Sequence, residues 1–161
     1  MKIDSDKKCI VTSSVEESFE AASLLANFVR EYDSFVLSGE LGAGKTHFAK
    51  GFAAALGISE PVSSPTFSLA NVYTSGRLEL IHFDLYRLNE ASELDDIDFY
   101  SLTESGAVCL IEWGEKFIDE MPNDYTHIII KKGEGETERI ICFEAHGTRS
   151  QELIEELFSG N

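Results

Sequence analysis

The feature that most constrains this chain is a phosphate-binding motif at residues 39–46, which reads G-E-L-G-A-G-K-T and matches G-x-x-x-x-G-K-[ST] in full. In such a loop the backbone N–H groups converge on nucleotide phosphates, the lysine contacts the β and γ phosphates, and the threonine hydroxyl binds Mg²⁺. An apolar run precedes the loop at residues 34–38, and apolar residues recur at helical spacing after it until Gly57. This strand–loop–helix context places the phosphates at the positive end of a helix dipole. We therefore predict that residues 39–46 bind a nucleotide.

Length and charge bound the class of protein. The 161 residues suit a single domain, 1–161, with a continuous core. The net charge of −16, from 29 acidic and 13 basic residues, opposes direct binding to a nucleic-acid phosphate backbone. If the function concerns RNA or DNA, we expect a partner to make that contact. The charged first eight residues do not resemble a signal peptide, and no apolar run approaches the ~18 residues of a membrane span, so we expect a cytoplasmic protein with no membrane contact.

The three cysteines, Cys9, Cys109 and Cys142, each lie in an apolar run that is typical of a strand. None belongs to a C-x-x-C pair, so the sequence indicates neither a metal site nor a disulfide framework. We expect three buried, reduced thiols.

The order of predicted elements indicates an α/β fold. We expect strands at residues 9–12, 34–38, 67–73, 78–84, 107–111, 127–130 and 139–143. We expect four helices: one that starts at the capping signal of residues 14–17 and ends near residue 32, one directly after the phosphate loop, one over 89–103 and one over 151–158. The two strands at 67–84 and the last two strands should form antiparallel hairpins. The expected architecture is a three-layer sandwich with a mixed sheet and a single P-loop NTPase unit. Because ligands bind beyond the carboxyl ends of strands in such sheets, the phosphate loop, Asp84 and Glu112 should lie together.

Two acidic residues at strand ends are candidates for chemistry. Glu112 follows the apolar run 108–111, where an NTPase of this type places the acid that joins the loop's Thr46 in binding Mg²⁺. Asp84 ends another apolar strand and would orient the attacking water, hold a magnesium-bound water or fix a loop. The rigid segment Ser64–Thr66, with proline between two hydroxyl residues, suits either a switch that senses the γ-phosphate or an ordinary turn.

Two neighbours of these acids have open roles. His82, between two apolar residues of a strand, suits a core, a surface or a catalytic histidine. Trp113, the only tryptophan, is either part of the core or a wall of the site.

Four segments in this order and spacing resemble the TsaE family: residues 39–46, S-P-T-F at 64–67, H-F-D-L-Y-R at 82–87 and I-E-W-G at 111–114. The resemblance covers roughly residues 9–143, and nothing usable matches the tail after His146. TsaE is the small bacterial ATPase required for making threonylcarbamoyladenosine in tRNA. The resemblance implies a Mg²⁺-dependent ATPase that works with a TsaB–TsaD-type complex, in which TsaD transfers the threonylcarbamoyl group, and that contacts tRNA only indirectly.

The resemblance also implies a set of site residues. Lys45, Asp84 and Glu112 would be catalytic, and Thr46 with Glu112 would hold Mg²⁺. The nucleotide would contact an N-terminal residue, placed at Thr12, and a late one, placed at Arg139, together with the loop residues Glu40, Leu41, Gly42, Ala43, Gly44, Lys45 and Thr46. Aspartate is frequent in the family where this chain has Glu40, and tyrosine where it has Phe67; both differences are mild.

Three alternatives belong to other functional classes. A small-molecule kinase needs an arginine-rich lid to clamp phosphates, whereas the arginines after the loop (Arg77, Arg87, Arg139 and Arg149) are scattered. A guanine-specific switch needs N-K-x-D, and the chain contains no Asn-Lys dipeptide. A scaffold that binds ATP with little turnover remains open. Because no arginine lies beside the loop in sequence to act as a finger, we expect slow hydrolysis by the chain alone.

Overall fold

The computed structural model describes residues 1–63, 65 and 68–159. Ser64, Thr66 and Phe67, which belong to the predicted switch segment and to one family motif, lie outside the described residues. The strands are β1 (Lys2–Asp4), β2 (Cys9–Thr12), β3 (Ser34–Gly39), β4 (Ala70–Tyr73), β5 (Leu80–Asp84), β6 (Val108–Glu112), β7 (Tyr125–Lys132) and β8 (Arg139–His146). The helices are α1 (Val15–Ala26), α2 (Lys45–Ala55), α3 (Phe99–Thr103) and α4 (Thr148–Ser159), with 3₁₀ helices at Ala91–Ile97 and Gly114–Glu120.

The strands form one mixed sheet in the order β1-β2-β8-β7-β3-β6-β5-β4. Its centre is parallel, since β3 runs parallel to both β6 and β7, and β5 runs parallel to β6. The remaining pairs are antiparallel, including the predicted hairpins β4–β5 and β7–β8. In the register, Glu112 lies opposite both Leu37 and Asp84. The ends of β3, β5 and β6 therefore meet at one edge of the sheet, as predicted.

Helices cover both faces of the sheet, which confirms the three-layer α/β architecture. Side chains along β3 alternate between the two faces of the sheet. Phe35 and Leu37 belong to the core on one face, which also contains the apolar faces of α1, α2 and α4. Val36 points to the opposite core, with Phe83 and Phe99, beneath α3 and the 3₁₀ helices. Within the described residues, none of the helices has the length and apolarity that a membrane-spanning segment requires.

Some predicted boundaries were wrong. Helix α1 ends at Ala26 rather than near Tyr32, because the chain has already turned: Tyr32 has a φ of 71° and its N–H donates to the carbonyl of Gly106. The predicted helix at 89–103 is divided by Asp98, whose φ of 55° breaks the helical path. Strand β1 and the 3₁₀ helix Gly114–Glu120 were not predicted. Strand β1 has only three residues, too few to show the alternation that identifies a strand in the sequence.

The expectation of three reduced thiols was wrong for two cysteines. Cys9 and Cys142 lie opposite each other on β2 and β8 and form a disulfide. Their separation of 133 residues hid the pairing from sequence patterns. Cys109 is a buried free thiol, and this burial raises its pKa to about 12.

Candidate functional site

The phosphate loop has the backbone that its glycines were predicted to provide. Gly42 and Gly44 have φ values of 81° and 105°, in the region that favours glycine. A Cβ on Gly39 would lie 2.8 Å from the carbonyl oxygen of Ile130, so this position requires glycine as well. Gly44 is the N-cap of α2, and the N–H groups of the helix's first turn lack intrahelical acceptors. The loop is therefore a cradle for an anion at a helix N-terminus.

A cavity of about 790 Å³ lies over this loop. It brings together the three residues predicted to be catalytic, Lys45, Asp84 and Glu112, and also Thr46. Of the residues predicted to bind the nucleotide, six line the cavity: Leu41, Gly42, Gly44, Lys45, Thr46 and Arg139. The other three, Thr12, Glu40 and Ala43, are not among its lining residues. The individual roles of all these residues stay predictions.

Glu112 is buried at the end of β6 and pairs with His82 of β5. The two side chains are 5% and 2% exposed, and Oε2 of Glu112 lies 2.7 Å from Nε2 of His82. Because a carboxylate oxygen only accepts, His82 donates from Nε2. Nδ1 of His82 has no hydrogen-bond partner within the described part of the chain. His82 is thus a core histidine that orients the acid, a role that the sequence left open.

Asp84 lies beside Glu112 and shapes the turn after β5. Its Oδ1 accepts from the N–H of Tyr86 at 3.0 Å, and the N–H of Leu85 donates to the carbonyl of Glu112 at 3.0 Å. These bonds fix the direction in which the chain leaves β5. Asp84 is therefore both a buried turn residue and a carboxylate at the cavity.

Lys45 is held by an aromatic ring. Its Nζ lies 4.4 Å from the centroid of the Trp113 ring, within the range of a cation–π contact. Trp113 lines the cavity and packs against Tyr86, with centroids 4.9 Å apart. The tryptophan lines the cavity and also packs against the core beneath the 3₁₀ helices, so both of the roles that the sequence left open apply to it.

Arg139 braces the phosphate loop from β8. Its Nε donates to the carbonyl of Ala43 at 2.8 Å and its Nη2 to that of Gly42 at 3.3 Å. Thr12 lies opposite Arg139 in the β2–β8 register and is fully buried. The Thr12 hydroxyl bonds with that of Ser18 at 3.1 Å, and Ser18 lines the cavity. Thr12 therefore lies one residue behind the cavity wall.

Sequence reasoning missed two parts of the cavity wall. Ser14 and Val15 line it at the start of α1, and Glu136 and Thr137 line it in the β7–β8 turn. The capping signal at residue 14 marked the start of the helix, but nothing local indicated that this helix end faces the phosphate loop. The carboxylates thus lie on the β5–β6 side of the loop, while α1, β8 and the turn lie on the other.

Comparisons with known proteins agree on one family. The family model described as "Threonylcarbamoyl adenosine biosynthesis protein TsaE" matches residues 12–141. The tRNA threonylcarbamoyladenosine biosynthesis protein TsaE of Bacillus subtilis (strain 168) is 42% identical over 146 residues, covering 91% of this chain and 90% of the relative. The protein of the same name from Treponema pallidum (strain Nichols) is 41% identical over 116 residues, 72% of this chain and 84% of the relative. The crystal structure of Bacillus subtilis YdiB matches with a TM-score of 0.79 at 38% identity and covers 94% of each chain.

Proposed function

Because this chain belongs to the TsaE family and so to tRNA threonylcarbamoyladenosine biosynthesis, we propose that it is a Mg²⁺-dependent ATPase acting on a TsaB–TsaD-type complex. The observation that carries the proposal is the convergence, at one cavity, of a complete phosphate loop with two buried carboxylates at strand ends. ATP is preferred over GTP because the guanine-binding N-K-x-D motif is absent from the sequence. The proposal places the chain in the cytoplasm, with the tRNA.

The loop and Lys45 would bind the triphosphate. The N–H groups at the start of α2 suit phosphate oxygens. Among the residues that the structure describes, no carboxylate forms an ion pair with Lys45, whose ammonium contacts the uncharged ring of Trp113 instead. Its charge is thus available to the β and γ phosphates.

The donor set at the cavity fits Mg²⁺, which prefers hard oxygen ligands and needs few from the protein. Thr46 and Glu112 would hold the ion. When bound, it would neutralise charge on the phosphates. His82 fixes one oxygen of Glu112 by a hydrogen bond, while Asp84 adds a second carboxylate beside it that would accept a hydrogen bond from the attacking water.

The sheet order suggests how the nucleotide lies. β5 and β6 carry the two carboxylates on one side of the loop-bearing β3, while β8 and β2 lie on the other. We therefore infer that the γ-phosphate points toward Asp84 and Glu112 and the nucleoside toward the start of α1. There the half-exposed Val15 offers an apolar contact for the base.

The binding test compares two lysines of α2. Lys45→Ala should abolish measurable ATP–Mg²⁺ binding by calorimetry and also hydrolysis, because the phosphates lose their cationic partner. Lys50→Ala, an exposed position of the same helix away from the cavity, should behave as wild type. Equal ATP affinity and turnover in Lys45→Ala and wild type would refute the site.

A protein partner is supported by the surface around the cavity. Leu41 in the phosphate loop is 94% exposed and Tyr86 57%, and both line the cavity mouth. Exposed apolar residues around a site favour a protein contact, whereas the net charge of −16 opposes direct binding of tRNA.

The arginines after the phosphate loop bear on the alternative of a small-molecule kinase. Three of them are already engaged in other contacts: Arg77 with the carbonyl of Ala26, Arg139 with the loop and Arg149 with Asp33. These three arginines are therefore not available to form the lid of a small-molecule kinase.

The partner test measures ATPase rate with and without a TsaB–TsaD-type complex, and affinity for that complex in ATP and in ADP. We expect slow hydrolysis alone, a rate altered by docking, and an affinity that depends on the nucleotide. Leu41→Ser should weaken docking much more than it weakens ATP binding, since it changes an exposed side chain and keeps the backbone N–H groups with which the loop would bind phosphate. Fast turnover that the partner does not change, or tight tRNA binding by this chain alone at physiological salt, would refute the proposal.

A further inference from the structure

A cluster of metal-ligating side chains lies on the β7–β8 hairpin, outside the nucleotide cavity. Nδ1 of His127 lies 3.8 Å from Oε2 of Glu144, and Nε2 of His146 lies 3.9 Å from the same oxygen. All three ligand atoms are within 4.8 Å of one another. His127 and Glu144 are directly opposite in the register, and His146 follows two residues later on the same face of β8. Nothing in the proposed ATPase chemistry uses these residues.

We propose that His127, Glu144 and His146 form a binding site for a divalent transition metal, with Zn²⁺ as the preferred ion. Two imidazoles and one carboxylate are a ligand set that zinc accepts, whereas Mg²⁺ prefers oxygen ligands. From the three separations, a point equidistant from the ligand atoms lies no more than roughly 2.5 Å from each, close to the ~2.0–2.2 Å of zinc–ligand bonds. Small rotations of the exposed Glu144 and His146 side chains close the difference. Solvent can reach the cluster and supply a fourth ligand.

A hydrogen-bond relay sets the tautomer that His127 needs. The hydroxyl of Ser38 lies 2.8 Å from Oε2 of Glu115 and 2.7 Å from Nε2 of His127. Because the hydroxyl has a single proton and a carboxylate only accepts, Ser38 donates to Glu115 and accepts from Nε2–H of His127. This leaves the lone pair of Nδ1 facing the cluster. Histidine ligands of metals commonly donate from their other nitrogen in this way.

The second histidine is oriented by stacking. The ring of Tyr125 lies against that of His146, with centroids 4.5 Å apart and an interplanar angle of 11°. Tyr125 is itself anchored in the core between the sheet and the 3₁₀ helices. Both imidazoles are thus held beside the proposed metal position by neighbouring residues, and small side-chain rotations complete the site.

The position of Ser38 links the cluster to the phosphate loop. Ser38 directly precedes Gly39, so one residue of β3 contacts the metal ligand His127 and leads into the loop. The inference itself does not depend on the ATPase proposal, because it concerns a different set of side chains.

The experiment measures Zn²⁺ binding to the untagged full chain by equilibrium dialysis and calorimetry, with Co²⁺ absorption as a report on coordination. We expect one Zn²⁺ per chain and a melting temperature that rises with Zn²⁺. His146→Gln and Glu144→Gln each remove a metal ligand and should lower Zn²⁺ affinity by more than about 100-fold. Ser38→Ala removes only a hydrogen bond to a ligand, and we expect the roughly 10–100-fold loss of affinity that is usual for such a change. Glu155→Gln, the same change at an exposed position of α4, should leave affinity unchanged.

Glu112→Gln separates this site from the nucleotide cavity, where a divalent ion is also proposed. If Zn²⁺ binding survives in that variant and is lost in His146→Gln and Glu144→Gln, the hairpin site is supported. No binding to wild type at micromolar Zn²⁺, equal binding in the hairpin variants, or a loss that also occurs in Glu112→Gln would overturn the proposal.

Discussion

The hydrogen bond between His82 and Glu112 offers the sharpest test of the proposed Mg²⁺ site. His82→Leu removes the donor at 2.7 Å while keeping an apolar side chain in the core. A hydrogen bond to a charged group contributes about 1.5–3 kcal/mol. At 1.36 kcal/mol per tenfold change, this predicts a loss of ~10–150-fold in apparent Mg²⁺ affinity during ATP hydrolysis. The range overlaps the ~10–100-fold effect usual for residues that orient metal ligands.

Stability should fall in the same variant. Glu112 is 5% exposed, and leaving a buried acceptor without its partner costs about 1–3 kcal/mol. In a chain of 161 residues each kcal/mol shifts the melting temperature by ~2–4 °C, so we expect a fall of roughly 2–12 °C. The matched variant His82→Gln keeps an N–H donor at a similar reach and should recover most of the Mg²⁺ affinity.

The assay is a Mg²⁺ titration of the ATPase rate at saturating ATP, with melting temperatures measured in parallel. Thr126→Val, which removes a buried polar group away from the cavity, controls for a general loss of stability. It should leave the Mg²⁺ requirement unchanged. A wild-type Mg²⁺ requirement in His82→Leu, or equal losses in the Leu and Gln variants, would show that His82 only fills space.

Three further substitutions and one labelling experiment test other features of the structure. Asp84→Asn keeps the shape and removes the charge, so calorimetry should show wild-type ATP affinity while single-turnover assays show little hydrolysis. Arg139→Gln removes two bonds to the phosphate loop and should weaken ATP binding about tenfold by calorimetry. Arg149→Ala leaves the buried Asp33 without its bidentate partner and should lower the free energy of unfolding by about 3 kcal/mol in denaturant titrations. Because burial raises the pKa of Cys109 to about 12, its thiol stays protonated at pH 8, and a thiol reagent should find no reactive group in the native chain.

Each of these expectations has a contrary result. Normal turnover in Asp84→Asn would confine that residue to the turn after β5. Unchanged ATP affinity in Arg139→Gln would show that the loop keeps its shape without the brace, and unchanged stability in Arg149→Ala would show that Asp33 is rehydrated. In denaturant, the thiol reagent should find one group before reduction and three after it; three before reduction would contradict the disulfide.

The parts of the fold that could be predicted from sequence are those whose causes are local. The phosphate loop is a contiguous motif, and strands buried on both faces are contiguous apolar runs. Because parallel strands end at the same edge of a sheet, placing Asp84 and Glu112 at the ends of two such runs was enough to bring them to the loop. The cavity followed from local patterns and one topological rule.

The contacts that tune the site could not be predicted, because they depend on register between distant strands. His82 and Glu112 are 30 residues apart, and Arg139 reaches the carbonyl of Ala43 across 96 residues. A shift of one residue in the β5–β6 register would turn His82 to the opposite face of the sheet from Glu112. Local patterns give the period of each strand but not its partner or its offset. The disulfide on β2 and β8 was missed for the same reason.

The electrostatics of the cavity suit the proposed binding of a triphosphate by an acidic protein. The negative charges of Glu112 and Asp84, buried near a phosphate site, would repel the phosphates unless positive groups were kept free to bind them. The carboxylate of Glu112 is engaged by His82, and Lys45 rests 4.4 Å from the centre of an uncharged ring. A cation–π contact holds the ammonium in place without cancelling its charge, as a carboxylate partner would. If this is the role of Trp113, Trp113→Phe should preserve most ATP affinity and Trp113→Leu should lose more of it in calorimetry, because a phenyl ring keeps a weaker version of the contact and leucine keeps none. Equal affinities in the Phe and Leu variants would reduce Trp113 to a wall of the cavity.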